Sequence, residues 1–261
     1  MNNTKKIGVL TSGGDCSGLN AVIRAVVNAA SQKGWEVYGI LNGTDGLTET
    51  PIQYEVLTEH NYSDSAWPRL SGSYLGSLNK GVKMESLEEM SAKFGRGVKE
   101  LGLDAIVVIG GDGTLHEVVN GLFIQQTVSP DEVTVSVVAV GTGNDWVRMF
   151  GIPSHYSEAI RAIREGYTFL QDVGEVYYKE SQFPQMRYMA NVAGAGFDAD
   201  VIRCYQHYKN KGRRGRHLYP LSILRSYFRY RSTGVKVWVD DILVHNDLLF
   251  SVAIGVCKYN G

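Results

Sequence analysis

The residues best suited to chemistry are Gly110, Gly111, Asp112, Gly113 and Thr114, with Glu117 three positions further on. Glycines lack a Cβ, so backbone N–H groups around them can approach a ligand closely. A helix starting at this point would add a favourable potential for an anion, and Thr114 would add a hydroxyl. Asp112 would repel a bare phosphate, so its presence implies a Mg²⁺ ion shared between its carboxylate and phosphate oxygens. That makes Asp112 the candidate metal ligand and the candidate catalytic carboxylate. The structural alternative is a tight strand-to-helix turn in which Asp112 or Thr114 is the N-cap and Glu117 closes a capping box. Glycine turns of similar type recur at Gly13 and Gly14 and again at Gly141, Thr142, Gly143 and Asn144, where Asn144 and Asp145 could equally be ordinary N-caps.

These turns need strands and helices to hold them. Ala105–Ile109 is a short β-branched run of the kind that forms a strand buried on both faces, and Leu115, Val118, Val119 and Leu122 then recur at helical spacing. Ile7–Leu10 is a second such strand, followed by a helical pattern over Leu19–Ala30 and a strand over Trp35–Leu41, a right-handed βαβ unit. Thr134–Val140 supplies another parallel strand. The runs Ile7–Leu10, Val37–Leu41, Ala105–Ile109 and Val135–Val140 should therefore lie side by side with their glycine turns along one edge, where open α/β sheets bind ligands.

From Tyr167 the pattern changes to alternating strands, which predicts a separate antiparallel β domain. Within it, His207–Arg231 holds eight Lys or Arg and no acid, with Pro220 suited to a first helical turn and Leu221, Leu224 and Phe228 on one face. This stretch reads either as a solvated charge run packed on the β domain through its apolar stripe or as an approach to an anionic membrane surface through Lys209–Arg231. The second would gain roughly 1 kcal/mol per basic residue near the lipid.

Composition narrows the classes. A chain of 261 residues with 44% hydrophobic content can bury one large core or two modest ones. A net charge of −1 gives no global attraction to nucleic acid, so none is expected as a partner. Cys16, Cys204 and Cys257 form no CxxC pair and read as reduced thiols of a cytoplasmic protein. The N-terminus has no signal-peptide core, no stretch approaches the roughly 20 apolar residues of a membrane span, and the six histidines lack zinc-ligand spacing. At most, the expected location is peripheral, at the inner membrane face. The oligomeric state is left open.

Two resemblances sharpen this. KIGVLTSGGDCSGLNAVIRAVVNAA and EVYGILNGTDGL resemble the opening of the 6-phosphofructokinases, including the pyrophosphate-using branch, and Leu70–Gly81 resembles that family's next nucleotide loop. This likeness covers about residues 1–110. It implies that Gly13, Gly14, Asn79, Lys80 and Gly111–Thr114 touch the phosphoryl donor. Ser17 stands where proline is usual, and Ser71 where glycine is usual. Over about residues 104–261, TLHEVVNGLF, VAVGTGNDWVRMFGIP, NVAGAGFDADV and the closing GVCKYNG resemble the diacylglycerol kinase catalytic domain. The chain thus resembles a mosaic joined at the GGDG turn the two families share. Both imply a phosphofructokinase/NAD kinase/diacylglycerol kinase-like α/β fold, a parallel sheet with helices on both faces, followed by an incomplete antiparallel β-sandwich. The expected division is 1–165 for the nucleotide-binding domain and 166–261 for the β-rich domain.

The resemblances imply ATP and Mg²⁺ as cofactors. The expected activity is that of an ATP-dependent lipid kinase acting on a substrate such as diacylglycerol, with the lipid kinase general base lying beyond Gly261. A 6-phosphofructokinase and a non-catalytic nucleotide-binding chimera are the alternatives. The sugar kinase is placed second because that family's GTIDND motif, whose first Asp is the base, is matched only by Gly141–Asp145, and no sugar-phosphate site is identifiable. On that reading phosphofructokinase activity should be absent.

Overall fold

In the computed structural model the described residues are 4–12, 18–59, 72–77, 85–140, 144–180, 183–213 and 217–259. Chain contacts divide them into two compact units, Met1–Asn191 with Val256–Gly261, and Val192–Gly255. The sequence-expected division at residue 165 falls earlier than this one.

The first unit is built on five strands, β1 (Lys6–Thr11), β2 (Glu36–Ile40), β3 (Tyr54–Leu57), β4 (Ala105–Gly110) and β5 (Thr134–Ala139), in the order β3-β2-β1-β4-β5. The pairs β1–β2, β1–β4 and β4–β5 are parallel, and β3 is an antiparallel edge. The four expected apolar runs therefore do lie side by side. Residues from both resemblances meet in the register Ile7↔Ala105 through Thr11↔Ile109. The chain fills one side of β1 with β2 and β3, then crosses to the other side with β4, so the direction of winding reverses between β1 and β4.

Helices α1 (Leu19–Ser31), α2 (Asp45–Thr48), α3 (Leu87–Leu101), α4 (Asp112–Ile124), α5 (Asp145–Met149) and α6 (Tyr156–Glu165) cover this sheet. Successive residues of β4 serve opposite faces: Val107 and Ile109 join Val22, Ile23 and Val26 of α1 and Ile160 of α6, whereas Ile106 and Val108 join Phe94 and Val98 of α3 and Leu115 and Val118 of α4. Two-sided cover is why these strands read as unbroken apolar runs. Helix α3 begins at a capping box, Ser86 with Glu89, and ends at Gly102, whose φ of 64° suits a residue without Cβ.

A hairpin of β6 (Gly174–Glu180) and β7 (Phe183–Met189) completes this unit. It is tied to α4 by Asn120, which is buried and imitates a strand neighbour. Its Nδ2 donates to the Tyr188 carbonyl at 2.8 Å, and its Oδ1 accepts from the Tyr188 N–H at 2.9 Å.

The second unit holds β8 (Val192–Gly196), α7 (Phe197–Asn210), α8 (Leu218–Arg229), β9 (Thr233–Val239), β10 (Ile242–Leu249) and β11 (Ser251–Gly255). The pairs β8–β11 and β9–β10 are antiparallel, as the alternation predicted. Helix α8 corrects one expectation. Leu221, Leu224 and Phe228 do share a face, but it points outward. The buried positions are Leu218, Ser222 and Ser226. The serines are small enough to let α8 lie close to α7, and Ser222 satisfies its buried hydroxyl by donating to the Leu218 carbonyl at 2.7 Å.

Candidate functional site

The carboxyl ends of β1, β4 and β5 converge where the sheet changes direction. Ser12 N–H donates to the Ile109 carbonyl at 3.3 Å, and Val140 N–H donates to the Gly110 carbonyl at 3.1 Å, so the three strand ends stay in hydrogen-bond contact as they leave the sheet. Gly110 is required by this packing. A Cβ there would sit 2.7 Å from Thr114 Oγ1 and 2.9 Å from the Ser12 carbonyl oxygen. A Cβ on Gly113, by contrast, would meet nothing within 4 Å. One glycine closes the floor of the turn and the other faces open space, the arrangement a backbone cradle needs.

Helix α4 starts immediately after. Its N-cap is Gly111, which contributes no side-chain cap, so neither Asp112 nor Thr114 caps it and Glu117 closes no capping box. Thr114 is instead buried, its hydroxyl folded back over Gly110, and Glu117 is exposed. Asp112 occupies the first turn of α4 and caps a different helix. Its Oδ2 accepts from Asp145 N–H at 2.9 Å and its Oδ1 from Trp146 N–H at 3.1 Å. Asn144 is the N-cap residue of α5 but makes no side-chain cap, because Asp112 already supplies the acceptors. The carboxylate thus sits between two helix N-termini, where negative charge is favoured.

Each carboxylate oxygen has a second lone pair free of these bonds. Among the described residues no group of three or more His, Cys, Asp or Glu could hold a metal by itself. The donor set therefore fits an ion held by one carboxylate, waters and the oxygens of a bound phosphate, which is how Mg²⁺ is commonly bound beside a nucleotide.

Behind Asp112 the site is braced. Trp146, buried, donates from Nε1 to Gln171 Oε1 at 2.7 Å, and Gln171 Nε2 donates to the Ala190 carbonyl at 2.6 Å. The Cys257 thiol donates to the same carbonyl at 3.3 Å. Burial raises the pKa of Cys257, and the Asp112 carboxylate raises it further. On α4, desolvation pushes His116 below the usual histidine value despite its exposed edge; Glu117 opposes that shift and Arg187 adds to it.

Of the other residues picked out from the sequence, Gly110, Gly111, Asp112, Gly113 and Asn144 are gathered at this site. Gly13, Gly14, Asn79, Lys80, Gly141, Thr142 and Gly143 lie outside the described residues. Trp146, Gln171 and Cys257 were not singled out as site residues. A Gln isolated in a loop and a lone Cys carry no spacing signal that could reveal them.

Residues 6–163 match the family model Phosphofructokinase. ATP-dependent 6-phosphofructokinase 1 of Nostoc sp. is 47% identical over 123 residues, covering 44% of this chain and 33% of that protein. The ATP-dependent 6-phosphofructokinase of Edwardsiella ictaluri is 49% identical over 110 residues, covering 42% and 32%. That of Chloroflexus aggregans is 36% identical over 204 residues, covering 76% and 55%. The chain thus spans about a third to somewhat over half the length of these curated relatives. Among solved structures, a putative diacylglycerol kinase from Bacillus anthracis str. Sterne superposes over 100% of this chain and 68% of its own, with a TM-score of 0.54 and 19% identity.

These findings overturn the lipid kinase expectation. The named relatives, at 36 to 49% identity, are ATP-dependent 6-phosphofructokinases, whereas the likeness to a diacylglycerol kinase is one of fold. The sugar kinase was placed second because of one short motif at Gly141–Asp145 and the lack of an identifiable sugar-phosphate site, and the match over residues 6–163 outweighs both. The expected donor, ATP with Mg²⁺, agrees with the ATP dependence in the relatives' names.

Proposed function

The chain belongs to the phosphofructokinase family, and from that premise we propose that it carries the nucleotide site of an ATP-dependent 6-phosphofructokinase. In this reading the γ-phosphoryl group of Mg-ATP passes to a hydroxyl of fructose 6-phosphate, and the unit of Met1–Asn191 with Val256–Gly261 forms the nucleotide-binding part, with Val192–Gly255 a second part. The observation that carries it is the turn Gly110–Thr114 at the point where the sheet reverses its winding, with open space over Gly113 and the Asp112 carboxylate beside it. Backbone amides of this turn would hold phosphate oxygens, and Asp112 would hold Mg²⁺. Gly13, Gly14, Asn79, Lys80, Gly141, Thr142, Gly143 and Asn144 would complete the nucleotide's surroundings, with Glu117 at the rim.

Phosphoryl transfer is mainly positioning and charge stabilisation, and a general base adds about 10² to 10⁴ in rate. No acid stands at Gly141–Gly143, so slow turnover with intact Mg-ATP binding is expected. A coupled assay for fructose 1,6-bisphosphate, run with ATP and Mg²⁺, tests this. Product formation that needs both, and that Asp112→Ala lowers by about 100-fold or more, supports the reading. Mg-ATP bound with no phosphate transferred to fructose 6-phosphate would overturn it.

A second, separate reading concerns α8. Its outward face carries Leu224 and Phe228, 56% and 70% exposed, with Arg225 and Arg229 along one margin. No helix among the described residues is long and apolar enough to cross a membrane. Peripheral contact of Lys209–Arg231 with an anionic bilayer is supported by this face, and salt-sensitive sedimentation with phosphatidylserine vesicles, lost in Leu224→Glu/Phe228→Glu, is the expected result.

A further inference from the structure

Residues 72–76 follow no regular secondary structure, yet four of their polar groups are bonded to two buried side chains. Thr11, the last residue of β1, and Asn20, in the first turn of α1, are each only 1% exposed. Thr11 Oγ1 donates to the Gly76 carbonyl at 2.6 Å and lies 2.6 Å from Ser73 Oγ. A hydroxyl has one proton, so Thr11 must receive the Ser73 proton, and Ser73 Oγ in turn accepts from Leu75 N–H at 3.2 Å. The proton order of the chain is thereby fixed. Asn20 Nδ2 donates to the Gly72 carbonyl at 2.9 Å, and Asn20 Oδ1 accepts from Tyr74 N–H at 2.7 Å. Asn42 N–H holds the Leu75 carbonyl at 2.7 Å, and Leu75 is buried, its side chain over Gly39.

Both buried side chains are hydrogen-bonded, so the burial is compensated and the bonds fix the position of an otherwise irregular segment. The segment lies at the carboxyl end of β1, and Ser12, next to Thr11, touches the Gly110 turn. We propose that Thr11 and Asn20 are positioning residues for the nucleotide site: they lock residues 72–76 against the switch point of the sheet, and so set the affinity for Mg-ATP without touching the reacting atoms. This rests on the reading of the site given under Proposed function.

The test uses the full chain with Mg-ATP as the probe. Thr11→Val keeps the shape and removes the hydroxyl, Thr11→Ser keeps the hydroxyl, and Asn20→Leu removes the second anchor. Thr11→Val and Asn20→Leu should each weaken Mg-ATP binding about tenfold by calorimetry, with KM for ATP raised and kcat little changed. Thr11→Ser should restore parental affinity. Hydrogen exchange at the amides of Tyr74 and Leu75 should quicken in Thr11→Val and not in Thr11→Ser, which is read without any ligand. Faster exchange with unaltered affinity, or unaltered exchange, would overturn the inference while leaving the nucleotide site standing. A parent chain that binds no Mg-ATP would bring down the functional reading and this inference together.

Discussion

The sheet of the first unit and the β9–β10 hairpin of the second are both rich in apolar residues, but the two treat them in opposite ways. Val9, Ile106, Val108 and Ile109 are at or near zero exposure, each covered by helices on the face to which it points. In the hairpin, Trp238, Ile242 and Leu248 are 55 to 67% exposed. A parallel strand gains from every residue because both faces are covered. An antiparallel pair gains mainly from cross-strand contacts, which are worth a fraction of that. Stability and the chemistry it supports should therefore be concentrated in the first unit, and the Gly110–Thr114 turn borrows its rigidity from the strand it leaves.

The sharpest way to break this comparison is to place a charge in each region. Val108→Asp buries an unpaired carboxylate in the middle of β4 and should cost 4 kcal/mol or more, roughly the whole margin of a domain, whereas Ile242→Asp should cost less than about 1 kcal/mol. Urea unfolding followed by circular dichroism measures both, and similar losses would show that the hairpin is as well covered as the sheet.

A smaller effect should follow from cutting the tie between α4 and the β6–β7 hairpin. Asn120→Leu leaves the Tyr188 N–H and carbonyl without their partner and should cost about 1 to 3 kcal/mol. Thermal unfolding with an unchanged midpoint would mean that the hairpin is held by its apolar contacts alone.

The smallest effect concerns Cys257. Burial and the Asp112 carboxylate both raise its pKa, so the thiol stays protonated and slow to label at neutral pH. Asp112→Asn removes the negative charge and should quicken labelling about two- to threefold under native conditions. Unaltered labelling would place the carboxylate too far away to act.

Much of the sheet was legible in the chain because burial on both faces leaves an unmistakable apolar run; Ala105–Ile109 is the clearest case. The turn at Gly110–Thr114 was legible because glycine is the residue a close backbone approach demands. Helix α3 was not anticipated, although Ser86 and Glu89 form its capping box, since its apolar stripe is thin among charged residues. Of the two readings of α8, the one that packs its apolar stripe on the β domain fails: such a stripe normally marks the buried side, and here Leu218, Ser222 and Ser226 occupy it. That Asp112 caps α5 could not be read, because its partners at Asp145 and Trp146 lie 33 and 34 residues away and offer only backbone N–H groups, which have no sequence signature.

The central claim is that the Gly110–Thr114 turn binds a nucleotide through a metal held by Asp112. Calorimetric titration of ATP into the parent chain and into Asp112→Asn, each with and without Mg²⁺, tests it most directly. Asparagine keeps an acceptor oxygen for the α5 cap, so the fold is retained while the charged ligand is lost. The account predicts Mg²⁺-dependent binding by the parent and a loss of at least about tenfold, roughly 1.4 kcal/mol, in Asp112→Asn. Equal affinity in all four titrations, with Mg²⁺ and Asp112 both without effect, would contradict it.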